Sequence, residues 1–314
     1  MSGWADRLRA WRKPRAGTPE AAPVIGEELL RRLRLEASRV ADGVMSGFHA
    51  SARLGRGVEF AGFRAYAPGD DLRFLDRRRS LSEAGLLVRQ YEVEQDRALL
   101  VIVDGSPSMA DEKRAWAEVV AGALVRIAVA QGDLAAVGVV AHSSRVGSFL
   151  RGKQAFERAT ELLVSAHVER TSAPAIAPAD HVLEGAVRRV AASAGWLVIV
   201  GDFLDDSPPV LALATETRAR GGRVVALRLE TPSERDFPFG STARLRDPES
   251  GDRVETFGPA ARERYAAARC AHRERTDALL LGSGILVVDA WTDAPPERAL
   301  VRVLEAIASR ARAG

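Results

Sequence analysis

Short unbroken apolar runs alternate along this chain with longer segments in which apolar positions return at three- and four-residue spacing. The first such segment, Glu27 to Ala41, places Leu30, Leu33, Ala37 and Val40 on one face and predicts a helix with its arginines outside. Glycines follow at once, and the stretch through "GVEFAGFRAYAPGDDLRFLD" reads as extended segments and turns. "GLLVRQYEVEQDRALLVIVD" predicts two strands broken near Gln95 and Asp96. A regular alternation then begins. The helix of "DEKRAWAEVVAGALVRIAVAQGD" carries Trp116, Val119, Val120, Ala123, Leu124 and Ile127 on one face and is stopped by Gly132-Asp133. "LAAVGVVAH" is a buried strand and "RVGSFL" a short peripheral one.

Helices near Gln154 to Ser165 and from Asp180 to Ala192 lead to the strand "GWLVIV". A helix capped by Ser207, with Pro208 in its first turn, precedes the strand "RVVALRL". A hairpin around "DPESGD", a helix from Pro259 to Leu280, the strand "GILVVDA" and a helix from Pro296 complete the chain. Wholly apolar strands alternating with amphipathic helices predict a doubly wound α/β fold with a mostly parallel sheet covered on both faces. The expected organisation is a basic tail and linker over 1–26, a helix and β-rich extension over 27–95, and the α/β domain over 96–314 with a hairpin insertion near 231–257.

The chain has 314 residues, 46% of them hydrophobic, enough to bury a large core. No apolar run approaches the roughly 20 residues that cross a bilayer, and no secretion signal is legible, so a cytoplasmic protein is expected. The one cysteine, Cys270, excludes an intramolecular disulfide and a cysteine-rich metal site. Net charge is only +3, and lysine occurs only at Lys13, Lys113 and Lys153 in an arginine-dominated chain, so nucleic-acid binding is not expected. At the N-terminus, Trp4, Leu8 and Trp11 share a helical face among basic residues, a pattern that suits a membrane surface or a partner groove, or else a frayed tail.

Chemistry concentrates at strand ends. The run "LLVIV" ends in Asp104, followed by Ser106 and Ser108, and "WLVIV" ends in Gly201-Asp202. In an open parallel sheet, ligands bind beyond the carboxyl ends of the strands where strand order reverses. If the two strands are neighbours, two carboxylates and two hydroxyls share one rim, a set of hard oxygens suited to Mg²⁺ or Mn²⁺. The competing reading is a turn at Ser106-Pro107 with Ser108 as a helix cap. A nucleophilic serine is disfavoured, because G-x-S-x-G is absent around Ser106 and His49, His142, His167, His181 and His272 stand in unrelated settings. No phosphate loop or dinucleotide fingerprint is present.

Two stretches carry a resemblance. The strand-end Asp104, Ser106 and Ser108 resemble the start of the metal-ion-dependent adhesion site of von Willebrand factor A domains. Upstream, Glu59, Phe60, Arg64, Tyr66, Pro68, Gly69, Asp70, Asp71, Arg73 and Asp76 resemble the hallmark of the bacterial domain-of-unknown-function family 58. The resemblance implies a von Willebrand factor A-type sheet and a non-enzymatic adaptor or co-chaperone that joins a MoxR-type AAA+ ATPase to a client protein. It implies a divalent metal held by Asp104, Ser106, Ser108 and Asp202. Arg77 departs from the family pattern, as does Ala179-Asp180, where a threonine hydroxyl is missing; Asp180 or Thr171 would have to replace it, or the site is degenerate. The hallmark's alternating charges suit either an ion-pair network that locks the extension down or an exposed docking site. A metal-dependent hydrolase or phosphoryl-transfer enzyme using the same carboxylates is the alternative function.

Overall fold

The computed structural model describes residues 22–51, 60–67, 86–91, 98–109, 111–141, 144–172, 185–204, 208–238, 242–247, 252–257 and 260–309. Its contacts divide the chain into two units, one of residues 1–47 and 98–314 and the other of residues 48–97. In the smaller unit, strand β1 (Phe60–Ala65) pairs antiparallel with β2 (Leu87–Tyr91), with an irregularity between Phe60 and Gly62. Tyr66 extends the ladder by donating its N–H to the Leu86 carbonyl at 2.8 Å.

The larger unit is built on a six-stranded sheet: β3 (Ala98–Asp104), β4 (Leu134–Val140), β5 (Arg145–Val146), β6 (Trp196–Gly201), β7 (Arg223–Glu230) and β10 (Leu286–Trp291). The spatial order is β10-β7-β6-β3-β4-β5, and every pairing is parallel except that of the two-residue edge strand β5. The remaining pair, β8 (Thr242–Arg246) and β9 (Arg253–Phe257), forms a separate antiparallel hairpin, within the span predicted for an insertion.

Strand period 2 sorts the sheet into two faces. Leu100, Ile102, Ala136, Leu197, Ile199, Val224 and Ala226 join one apolar cluster with helices α4 (Gly185–Ala192), α5 (Pro208–Ala219) and α7 (Ala260–Gly282) through Val187, Ala191, Leu213, Ala214 and Leu280. The intervening Val101, Val103, Val137, Val198, Val200 and Leu227 are equally buried on the other face, under α2 (Glu112–Gln131), α3 (Gly152–Ser172) and α8 (Pro296–Ser309). The mostly parallel α/β sheet with helices on both faces is therefore as expected.

Helix α1 (Ala22–Ser51) is longer than the predicted Glu27 to Ala41. Its apolar stripe continues past Gly43, because Val44 is buried with Val40 and Ala41, and that burial offsets the weak helix propensity of glycine. Residues up to Gly47 group with the sheet, whereas the sequence pattern grouped this helix with the hallmark segment. The packing explains it. A Cβ at Gly122 of α2 would lie 2.9 Å from the Ala37 Cβ, so glycine lets the two helices touch. Arg34 donates to the Thr160 hydroxyl of α3 at 3.0 Å. A short helix, α6 (Pro232–Asp236), follows β7 and was not predicted. Among the described residues, no helix is long and apolar enough to cross a membrane.

Candidate functional site at the strand ends

Strand order reverses at β3: the chain runs from β3 outward to β4 on one side, then returns to lay β6 on the other. The carboxyl ends of β3 and β6 are thus adjacent at the switch point, with Val103 registered against Val200. A Cβ on Gly201 would lie 3.0 Å from the Asp104 Cβ and 3.2 Å from its Oδ2, so glycine there makes room for the Asp104 side chain.

Beyond Asp104 the chain turns through a 3₁₀ turn, Pro107–Met109. The Asp104 Oδ1 accepts the Ser106 N–H at 2.8 Å, an Asx-type turn that fixes the carboxylate relative to its own loop. The Ser106 and Ser108 hydroxyls share a hydrogen bond at 2.9 Å, and Ser106 is buried. Ser108 is not the cap of the next helix, because α2 starts at Glu112 with Asp111 in the capping position. The turn half of the competing reading therefore holds and the cap half does not.

Asp202 is 4% exposed and both its oxygens have partners. Oδ1 accepts the Leu204 N–H at 3.3 Å, and Oδ2 accepts from the Lys113 ammonium at 2.7 Å. Lys113, itself 2% exposed, also pairs with Glu234 of α6. Burial alone would push the Lys113 pKa down, but Asp202 and Glu234 outweigh it, and the net shift is upward from 10.5. Glu234 is held in turn by a capping box. Its Oε2 accepts the Thr231 N–H at 2.8 Å, and its own N–H donates to the Thr231 hydroxyl at 3.2 Å.

Second contacts brace this arrangement. Phe203 takes a left-handed backbone, φ 54°, immediately after Asp202, and its carbonyl accepts from His272 Nε2 of α7 at 2.8 Å. Asp111 and Phe237 also have positive φ, 52° and 43°. Asp111 and Phe203 follow Ser108 and Asp202 in the chain, and Phe237 ends the helix that carries Glu234; conformations of this kind persist only where surrounding structure over-determines them. Glu112, at the start of α2, accepts from the Thr292 hydroxyl just after β10. The Trp116 Nε1 donates to the Ala294 carbonyl at 3.4 Å, and α2 is thereby tied twice to the segment that follows β10.

The structure thus brings Asp104, Ser106, Ser108 and Asp202 to one rim. Asp180 and Ala179 lie outside the described residues, and Thr171 is placed only as part of α3. Of the hallmark, Phe60 and Arg64 lie in β1 and Tyr66 follows it; Glu59, Pro68, Gly69, Asp70, Asp71, Arg73 and Asp76 lie outside the described residues, as do Trp4, Leu8 and Trp11. Among the described residues, no three His, Cys, Asp or Glu side chains form a metal-holding group. Among the described residues the donor set fits a divalent ion poorly, because one of its two carboxylates, Asp202, already holds a buried ammonium.

Sequence reasoning missed Lys113 and Glu234. The signal for Lys113 was present: it stands three residues before Trp116 and seven before Val120, on the apolar face of α2, in a chain with only three lysines. Glu234 left no comparable mark, because its value depends on a contact with a residue far away in the chain.

Comparison with known proteins agrees with the hallmark. The family model for protein of unknown function DUF58 matches residues 62–275. The chain is 28% identical over 301 residues to the uncharacterized protein Mb1516 of Mycobacterium bovis and, to the same degree, to the uncharacterized protein Rv1480 of Mycobacterium tuberculosis, covering 90% of this chain and 89% of each relative. Among solved structures, the conserved hypothetical protein BatB from Bacteroides thetaiotaomicron aligns with a TM-score of 0.43 at 13% identity, covering 69% of this chain and 99% of that one. An aerotolerance-related membrane protein from Bacteroides fragilis aligns with a TM-score of 0.41 at 16% identity, over 68% of this chain and 99% of its own. With a family model spanning more than half of its length, and including Arg64, Tyr66 and the strand-end rim, the chain belongs to the DUF58 family.

Proposed function

We propose that this protein is a non-enzymatic interaction module, an adaptor or co-chaperone that links a MoxR-type AAA+ ATPase to a client protein in the cytoplasm, and that it docks through the strand-end rim. The sheet is read as being of von Willebrand factor A type. The D-x-S-x-S turn at the switch point and the antiparallel edge strand beyond β4 support that reading. The observation that carries the functional reading is the convergence of Asp104, Ser106, Ser108 and Asp202 on one rim, where the left-handed backbone at Phe203 is held from behind by His272. Fixed polar groups on a rigid scaffold suit recognition, since little ordering remains to be done on binding.

The same geometry gives a hydrolytic reading little footing. The Ser106 hydroxyl pairs with another hydroxyl rather than with a base, and both Asp202 oxygens are engaged. The test is binding of the full chain to a MoxR-type ATPase from the same genome. Asp104→Ala is expected to weaken it by about tenfold or more, the equivalent of one lost charge-assisted contact. Unchanged binding would remove the rim from the interface. Turnover of generic phosphate esters that is lost in Asp104→Ala would favour the hydrolase instead.

A further inference from the structure

The rim holds a cation of its own. Lys113 reaches from the first turn of α2 to Asp202 at the end of β6 and to Glu234 in α6, and all of its side chain but 2% is removed from water. A lone buried ammonium is unstable; it is kept charged by paired carboxylates and fixed hydrogen bonds. Here both carboxylates are anchored independently of the lysine, Asp202 by the Leu204 N–H and Glu234 by the Thr231 capping box. Lysine also suits the position better than the arginine used elsewhere in the chain, because a compact point charge fits between two carboxylates where a planar fork would need more room.

We infer that Lys113 is a tethered cation that takes over the charge-neutralising work of a divalent ion at this rim, and that the site therefore excludes Mg²⁺ and Mn²⁺ and acts without them. Asp202 and Glu234 converge on one point and would repel each other; a divalent ion is one remedy and a buried lysine is another. With Asp202 Oδ2 committed to the ammonium, an arriving ion would meet a positive charge and one carboxylate fewer. The inference deepens the docking reading and rests on it for the identity of the partner, but the exclusion of the ion stands or falls by itself.

The experiment is titration calorimetry of Mg²⁺ and Mn²⁺ into the full chain as wild type, Lys113→Met and the double variant Lys113→Met/Asp104→Ala, with thermal unfolding of each followed with and without Mg²⁺. The wild type is expected to show no binding and no ion-dependent shift in Tm. Lys113→Met is expected to gain binding that the added Asp104→Ala removes, and its lowered Tm should rise on adding Mg²⁺, since a ligand specific for the folded state stabilises it. Lys113→Gln, which removes the charge but keeps a polar group, serves the same purpose if the methionine variant does not fold. Binding of either ion to the wild type would overturn the inference, as would the absence of binding to a folded, charge-free variant. Failure of the ATPase to bind any of these proteins would count against the docking reading and leave the ion result standing.

Discussion

Lys113, Asp202 and Glu234 set the stakes at the scale of single residues. Removing one member of a buried, hydrogen-bonded ion pair leaves the other charged and unpaired, which costs about 3–5 kcal/mol. Lys113→Met is therefore expected to lower the urea unfolding free energy by that amount, and Lys113→Met/Asp202→Leu to recover part of it; a neutral single variant would mean that the ammonium is solvated in solution. The pH dependence has a definite sign. A lysine whose pKa is higher folded than unfolded contributes its full stability below the unfolded value, near 10.5, and loses it as pH rises through the folded value. The difference in urea midpoint between wild type and Lys113→Met should thus be constant at neutral pH and shrink only above about pH 10.5. The strand-end Asp104 and Asp202 were legible in the sequence because an apolar run stops at each. The pairing of Lys113 with Asp202 was not, since the two lie 89 positions apart and only the folded sheet closes that distance.

At the scale of elements, two devices hold the rim in place. The capping box of α6 orients Glu234 toward Lys113, so Thr231→Ala is expected to cost about 1 kcal/mol as a lost cap and to loosen the ion pair as well. Combining Thr231→Ala with Lys113→Met in a double-mutant cycle should give a coupling clearly different from zero, whereas strict additivity would show that the cap acts only on its own helix. Glycine at position 122 lets α1 and α2 meet, and Gly122→Val would force them apart at a cost of about 1–3 kcal/mol, read as a lower Tm. The helices and strands of the sheet unit follow from periodicity, which is why their order was readable. Helix ends were less so: the glycines after Ala41 suggest a stop, but Val44 is buried beyond Gly43 and α1 runs on to Ser51. Helix α6 has too few residues to show any period, and only its Thr-x-x-Glu cap hints at it.

For the whole molecule, the parallel order β10-β7-β6-β3-β4 with one antiparallel edge strand places a single switch point on the sheet, between β3 and β6. That topology, rather than any one residue, makes the rim the natural place for recognition, and the DUF58 hallmark identifies the family without saying what is recognised. A truncation that removes the residues before Pro23 should leave ATPase binding intact if the rim is the docking face; loss of binding would shift the contact to the basic segment with Trp4, Leu8 and Trp11. The most direct measurement is calorimetric titration of the full chain with a MoxR-type ATPase from the same genome, using wild type and Asp104→Ala, each with and without EDTA. The account predicts wild-type binding that EDTA does not change and that Asp104→Ala weakens by about tenfold or more. Equal affinity for the wild type and Asp104→Ala would contradict it.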